Sequence, residues 1–177
     1  MLQFRNGLNL SIFVYLFVCA SFNYYLITFY TKYIPGNVYV NTIVCSLAEA
    51  VSTWCAGPTV RLLKPRNSIT IAFSMCGVFS IGLWLVQAAD ATGLIPVVIL
   101  GARFGICAGF GMLYMCTLYY FPSRHTGSVF GICNTVARAI TILSPMVAET
   151  PAPIPVMSII ISCVVAGALS RLLREPV

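Results

Sequence analysis

Three ionisable residues lie inside long hydrophobic stretches of the chain: Glu49, Arg103 and Arg138. A charge at membrane depth is costly and usually faces a bundle interior or a watery cavity. These residues are therefore either contacts for a solute or coupling ion, or ion pairs between helices. Arg103, about two turns into its stretch, is better explained as an ion pair or as a side chain that reaches back to the surface. For Glu49 and Arg138, near mid-stretch, both interpretations stay open, and they could also neutralise each other.

No other set of residues fits catalysis or metal binding. The chain has one histidine, four acidic residues and no Ser/His/Asp arrangement or spaced carboxylate pair. Its eight cysteines form no CxxC pair, so we interpret them as small buried apolar residues: Cys19, Cys45, Cys55, Cys76, Cys107, Cys116, Cys133 and Cys163. We therefore predict no enzyme, no metal site and no cofactor.

The composition indicates that these residues are positioned by membrane helices. Of 177 residues, 59% are hydrophobic and 8% are charged, against about 25% charged in an ordinary soluble domain. So much apolar surface requires the lipid bilayer as solvent. The net charge of +6 does not indicate nucleic-acid binding, because the basic residues are scattered.

Six stretches approach the roughly 20 apolar residues needed to cross a bilayer. They cover residues 8–30, 38–62, 69–89, 95–120, 126–148 and 155–172, with turn or polar residues between them. The first is longer than a typical signal-peptide core, so we predict that it is retained. The sequence thus predicts an all-α membrane protein with six transmembrane helices in a single domain, residues 1–177, and no soluble domain.

The charges predict an orientation. If all six stretches cross, one side carries seven basic residues and one acid: Arg5, Arg61, Lys64, Arg66, Arg124, Arg171, Arg174 and Glu175. The opposite side carries Lys32, Asp90 and Glu149. The positive-inside rule then places both termini in the cytoplasm, or in the matrix of a mitochondrion. The sequence does not distinguish the plasma membrane from the mitochondrial inner membrane.

Small and aromatic residues suggest how the helices pack. Gly101, Gly105 and Gly109 recur at four-residue spacing, which predicts close approach of a neighbouring helix. Tyr24 and Tyr25 lie deep enough in the first stretch to line a cavity, whereas the tyrosines near its end are typical of interface anchors.

Several short segments occur in a characteristic order, namely Gly36-Asn37-Val38-Tyr39 before Ser46-Leu47-Ala48-Glu49, Leu100-Gly101-Ala102-Arg103-Phe104-Gly105, Tyr119-Tyr120-Phe121-Pro122-Ser123, Gly131-Ile132-Cys133 and Ser144-Pro145. In this order the chain resembles the C-terminal six-helix half of a major facilitator superfamily transporter, of the organic cation and anion transporter branch. The likeness covers nearly the whole chain. It implies a solute carrier that binds its solute between two halves.

The resemblance also suggests a solute class. Midway along the eleventh helix, cation carriers of this branch tend to have aspartate and anion carriers arginine, and that position is Arg138 here. The resemblance therefore implies a small organic anion, with Arg138, Glu49, Tyr24 and Tyr25 as tentative substrate contacts.

Two loops depart from the family pattern. The loop that usually reads Asp-Arg-x-Gly-Arg-Arg is Arg61-Leu62-Leu63-Lys64-Pro65-Arg66 here. In the second loop, tyrosine replaces an acid at position 119 and Thr126 replaces an arginine. The resemblance implies that these loops take part in a cytoplasmic gate, and the remnants of that gate are Arg61, Lys64, Arg66, Pro122 and Arg124.

Three functions are compatible with this combination of preserved family segments and altered loops. The chain is a transporter half that works with a second half or a homodimer partner, or it is a non-transporting accessory subunit of a large membrane complex. The third alternative is that it is a fragment of a full carrier. We expect the lipid bilayer and one of these protein partners, and no nucleic acid.

Overall fold

The structure, a computed structural model, describes residues 2–33, 38–89 and 92–173, with only the backbone at residues 2–6, 92 and 123. Every secondary-structure element in these ranges is helical: α1 (Leu2–Tyr30), α2 (Val38–Leu63), α3 (Pro65–Ala88), α4 (Ile95–Tyr120), α5 (Ser123–Thr141), α6 (Ser144–Ala148), α7 (Ile154–Ser170) and 3₁₀ turns at Thr31–Tyr33 and Thr92–Leu94. Gly36, Asn37, Asp90, Arg174 and Glu175, used in the predictions above, lie outside the described residues.

Four helical segments are long and apolar enough to cross a membrane: Gly7–Tyr33, Val38–Leu63, Pro65–Ala88 and Ile95–Tyr120. They support an integral, multi-pass membrane protein. Helix α7 is apolar but has only 17 residues. Helix α5 is amphipathic, with Arg124, His125 and Ser128 among its exposed residues. The predicted number of six spans therefore stays a prediction.

The predicted fifth span, residues 126–148, is not one continuous helix, and this part of the prediction is wrong. Helix α5 ends at Thr141, and α6 begins after a two-residue turn at Ser144. Pro145 explains the break, because proline lacks an N–H and its ring clashes with the carbonyl four residues earlier, at Thr141. Arg138 consequently lies in the last turn of α5.

The other helix boundaries differ by a few residues from the predicted stretches. Helix α1 begins at Leu2 instead of residue 8, and α7 ends at Ser170 instead of residue 172. Helix α3 begins at Pro65 instead of residue 69, because proline fits the first turn of a helix, where no N–H partner is needed.

Helix α4 lies between α2 and α3. A Cβ on Gly105 would lie 2.7 Å from the backbone nitrogen of Cys76 in α3, and one on Gly111 would lie 3.3 Å from the Cβ of Ala56 in α2. Gly101 faces the ring of Phe79, also in α3. Glycine therefore allows α4 to approach the backbone of α3 directly and to pack closely on the small side chain of Ala56 in α2.

Helix α1 packs against α4, α5, α6 and α7. Polar side chains tie its middle to two of them: the Asn23 Nδ2 atom donates to the Ser162 Oγ at 2.8 Å, and the Thr141 hydroxyl donates to the Ser21 Oγ at 2.9 Å. Helix α1 thus packs against α5, and α4 packs against α2. Side chains of all four helices line one cavity.

One end of the bundle is basic. The Phe13 and Phe121 ring centroids, 5.3 Å apart, bring the beginning of α1 to the end of α4. The Thr70 and Ser170 hydroxyls, 2.7 Å apart, bring the beginning of α3 to the end of α7. We call this the basic end, because its helix termini and turns carry Arg61, Lys64, Arg66, Arg124 and Arg171. Which side of a membrane it faces stays a prediction.

The eight cysteines are free thiols, and most of them are buried as predicted. Cys55 is exposed and Cys45 only half-buried, so the burial prediction is wrong for these two. Cys55 follows Val51 and Trp54 on the outward face of α2, where both side chains are exposed. A thiol is apolar enough to face lipid at such a position.

Candidate functional site

The site is organised around Arg103, whose residue is only 5% exposed. Its Nη1 atom donates to the carbonyl oxygen of Tyr24 at 2.6 Å and to the Thr28 hydroxyl at 2.8 Å. Its Nη2 atom forms an ion pair with the Glu49 Oε2 at 3.3 Å. The guanidinium carbon also lies 3.8 Å from the centre of the Tyr24 ring. One guanidinium on α4 therefore holds α1 and α2 through charge, hydrogen bonds and a ring face.

Glu49 has a second partner in the Tyr24 hydroxyl, which donates to Oε1 at 2.9 Å and to Oε2 at 3.1 Å. The Glu49 side chain is still 44% exposed, so this pair is buried on one side only. The alternative that Glu49 and Arg138 neutralise each other is wrong, because the partner of Glu49 is Arg103. The alternative that Arg103 reaches back to the surface is wrong for the same reason.

Arg138 is exposed and turns towards Tyr25. Its Nη1 atom donates to the Tyr25 hydroxyl at 2.6 Å, and its guanidinium carbon lies 5.7 Å from the centre of that ring. The Tyr24 and Tyr25 rings are 5.2 Å apart in an edge-to-face arrangement. Within the described ranges the ion pair is Glu49–Arg103, and no carboxylate there pairs with Arg138.

Two cavities flank Glu49. The first, here called the central cavity, has a volume of about 210 Å³ and is lined by Ser21, Tyr24, Tyr25, Glu49, Phe110 and Arg138. The second, the hydroxyl cavity, has a volume of about 130 Å³ and is lined by Thr28, Thr31, Thr42, Cys45, Ser46, Glu49 and Arg103. The structure thus brings together all four residues that the sequence singled out as substrate contacts.

The central cavity carries a net positive charge. Glu49 lies three to four turns from either end of α2, which places the site at mid-depth of the bundle. Its charge is offset by Arg103, so Arg138 leaves one positive charge on the cavity wall. At reduced dielectric this charge attracts an anion and repels a cation more strongly than it would in water.

The gate-loop residues lie outside both cavities. Arg61, Lys64 and Arg124 are exposed side chains at the basic end, as is Pro122, and Arg66 is half-buried. None of these basic side chains pairs with an acid in the part of the chain that the structure describes. Lys64 has a φ of 65°, a conformation that favours glycine. Glycine is the residue at this position in the loop pattern Asp-Arg-x-Gly-Arg-Arg of the family that the chain resembles.

Sequence reasoning missed several residues that line the cavities. Phe110 and Ser21 carry no charge, and nothing in the sequence distinguishes them from other residues of their helices. Thr28 follows Tyr24 by one helical turn, and this spacing does place both on the same face of α1. No group of three His, Cys, Asp or Glu side chains among the described residues could hold a metal ion.

Known proteins are similar to the chain over much of its length, although no family model matches it. Human organic cation/carnitine transporter 2 is 26% identical over 132 residues, 75% of this chain and 24% of that protein. Mouse solute carrier family 22 member 4 is 29% identical over 133 residues, 75% of this chain and 24% of its own length. Xenopus tropicalis solute carrier family 22 member 15-like is 26% identical over 168 residues, 92% of this chain and 34% of its own length.

The chain spans about a quarter to a third of the length of these curated relatives. The chain is thus similar to part of several transporters of solute carrier family 22, and its apolar helices support a transporter-like, multi-pass membrane protein.

Proposed function

We propose that this chain is half of a solute carrier of the organic-ion type and that its central cavity binds a small organic anion. The observation that carries the proposal is Arg138, an exposed guanidinium on the cavity wall without a carboxylate partner among the described residues. The nearby acid, Glu49, is already offset by Arg103.

The cavity offers suitable contacts to such a solute. The planar guanidinium of Arg138 can donate two parallel hydrogen bonds to a carboxylate. The rings of Tyr25 and Phe110 line the same cavity and would pack against the apolar part of the solute. A second half, from another copy or another six-helix chain, would supply the opposite wall, as alternating access between two halves requires.

A zwitterion also fits this arrangement. The Glu49 side chain is 44% exposed and lines the same cavity as Arg138. A solute with one carboxylate and one cationic group could therefore place its carboxylate at Arg138 and its cation near the exposed part of Glu49, whose charge it would then share with Arg103. The human relative is named a carnitine transporter, and carnitine carries both kinds of group.

Reversing the charge of Arg138 tests the proposal. We expect Arg138→Asp to lower uptake of labelled small carboxylates by at least about tenfold, because a charge-assisted hydrogen bond is lost. Uptake of quaternary ammonium ions should rise relative to that of the carboxylates. The measurement is uptake into proteoliposomes or cells that contain the chain with its partner.

Two further variants control the comparison. Arg138→Lys keeps the charge but loses the two-pronged contact, so carboxylate uptake should be intermediate. Lys32→Asp makes the same change of charge at an exposed residue that lines neither cavity, and uptake should stay within twofold of wild type. Unchanged carboxylate uptake in Arg138→Asp, with normal protein levels, would remove Arg138 from solute binding.

The second candidate function is a non-transporting accessory subunit of a large membrane complex, for example in the mitochondrial inner membrane. The observation that favours it is the gate region, where the described basic residues have no acidic partners. Native mass spectrometry in mild detergent separates the candidates. A homodimer, or a pair with one six-helix chain, supports the transporter half. Recovery only within a large stoichiometric complex, without uptake activity, supports the accessory subunit.

A further inference from the structure

A groove between α3 and α7 is not used by the proposed function. Its volume is about 410 Å³, and its lining runs from Thr70 to Ile81 on α3 and from Cys163 on α7 to Arg171, the residue directly after α7. Small residues form part of this lining: a Cβ on Gly167 would lie 3.8 Å from the Ser74 hydroxyl oxygen. Val78 and Val164, which also line it, are 65% and 62% exposed. The groove is therefore a mainly apolar trough that opens outward from the bundle.

The basic end of the groove is polar. Arg171 lines it and is exposed, and its guanidinium has no hydrogen bond or ion pair with any residue in the described ranges. Beside it, the Thr70 and Ser170 hydroxyls, 2.7 Å apart, join α3 to α7. An apolar trough that ends at an unpaired guanidinium matches a ligand with a long apolar part and an anionic head.

The length of the groove matches a lipid chain. Thr70 and Ile81 are eleven positions apart, a rise of about 16 Å along a helix. One leaflet of a bilayer has a hydrocarbon thickness of about 15 Å, half of the ~30 Å core. The groove begins at the basic end, where lipid headgroups would meet Arg171.

We propose that this groove binds an anionic phospholipid, with one acyl chain between α3 and α7 and the phosphate at Arg171. Arginine suits this role, because its guanidinium presents several donors to phosphate oxygens and its aliphatic stem can lie on apolar surface. The apolar lining excludes a free phosphate ion as the main ligand. The proposal does not depend on whether the chain transports a solute.

The test uses the full chain with any partner that copurifies. The protein is reconstituted in an equimolar mixture of phosphatidylglycerol and phosphatidylcholine with identical acyl chains, and then purified in mild detergent. Native mass spectrometry counts the lipids retained per chain. We expect one retained phospholipid, enriched in phosphatidylglycerol over phosphatidylcholine by about fivefold, as one basic residue near a membrane surface provides.

Two variants, each with a control, distinguish the contact to the lipid headgroup from the contact to its acyl chain. Arg171→Gln should abolish the headgroup preference without abolishing retention, whereas Arg124→Gln, at the same end on α5, should leave it unchanged. Ser74→Phe places a ring in the trough and should remove the retained lipid of either kind. Val97→Phe adds a ring to an exposed position of α4 and serves as its control. Ala168→Leu, a smaller obstruction, replaces Ser74→Phe if that variant is not monodisperse.

Three results would overturn the proposal. The first is no lipid retained above the level of the Ser74→Phe variant. The second is equal retention of both lipids, unaffected by Arg171→Gln. The third is a dimer that Ser74→Phe dissociates, because a second copy of the chain, and not a lipid, would then occupy the groove.

Discussion

Arg103 illustrates how a single side chain in a membrane bundle can be both costly and useful. Its guanidinium is removed from solvent, and its Nε atom has no hydrogen-bond partner among the described residues. The remaining nitrogens contact Tyr24, Thr28 and Glu49 on two other helices. The residue therefore stabilises the bundle only while these partners are in place.

Removing the acid should expose this dependence. We expect Glu49→Gln to lower the free energy of unfolding by about 2 kcal/mol, less than for a fully buried pair, because Glu49 is half-exposed. This corresponds to a fall of about 4–8 °C in the thermal midpoint in detergent. The measurement is a melting curve followed by circular dichroism.

A double-mutant cycle supplies the control for this prediction. Glu49→Gln combined with Arg103→Leu should recover part of the lost stability, because no uncompensated charge remains. Glu149→Gln, an exposed acid outside the cavities, should change the stability by less than about 0.5 kcal/mol. A double variant as unstable as the sum of its single variants would show that the ion pair is not the stabilising contact.

The sequence identified the charged residues of the site but not their pairing. Glu49 could be placed near mid-span, and Tyr24 and Tyr25 deep enough to line a cavity, because α1 and α2 are continuous helices. That Arg138 lies in the last turn of its helix was not predicted, because the end of α5 is decided by Pro145. The sequence left open that Arg103 reaches back to the surface. Its hydrogen-bond partners lie on α1, and contacts between distant helices are not visible in a local pattern.

At the scale of elements, α4 is fixed by its glycines, and they are not equivalent. A Cβ on Gly105 would lie 2.7 Å from one backbone atom of α3 and 2.9 Å from another. A Cβ on Gly109 would lie 3.4 Å from the side chain of Ala72. A Cβ on Gly131 in α5 would meet no atom within 4 Å. The three positions form a series from blocked to open.

This series predicts graded stabilities. Gly105→Ala should destabilise the protein by about 1–3 kcal/mol, because α3 and α4 must separate to admit a methyl group. Gly109→Ala should have a smaller effect. Gly131→Ala should be neutral or stabilise by up to about 1 kcal/mol, because alanine favours the helix and meets no obstruction.

Melting curves of the three alanine variants, recorded in one detergent, check this order. Equal midpoints for Gly105→Ala and Gly131→Ala would contradict the close approach of α3 and α4. The spacing of the glycines predicted a packing face in advance. It did not predict which neighbour would meet each glycine, because this depends on how α2 and α3 are arranged around α4.

At the scale of the whole molecule, the positive-inside rule makes one prediction that geometry alone does not test. The basic end carries Lys64, and the opposite end carries Glu149, both of them exposed. If the rule holds, these positions lie on different sides of the membrane, with Lys64 on the cytoplasmic or matrix side.

Labelling single introduced thiols tests this orientation. A membrane-impermeant maleimide should label Glu149→Cys in intact cells, or in mitoplasts, and should label Lys64→Cys only after permeabilisation. The unmodified chain is the control, because it reports any labelling of its own thiols, such as the half-buried Cys45 at the hydroxyl cavity. Labelling of Lys64→Cys before permeabilisation would show that the orientation is the opposite of the predicted one.

The class of fold was the most predictable property of the molecule, because helices in lipid must satisfy their own backbone and therefore appear as long apolar stretches. The predicted fourth span coincides with α4, Ile95–Tyr120. The predicted fifth span failed at Pro145, where hydrophobicity continues although the helix does not.

The guanidinium that joins three helices also has a consequence for biogenesis. Because a chain emerges from the ribosome with its N-terminal part first, α1 and α2 enter the bilayer before α4 has been made. Until then Glu49 has no arginine beside it, and an unneutralised acid in lipid is unfavourable. Nascent chains that stop before residue 103 should therefore remain with the insertion machinery or its chaperones, and release should begin only once Arg103 has left the ribosome and α4 has entered the bilayer.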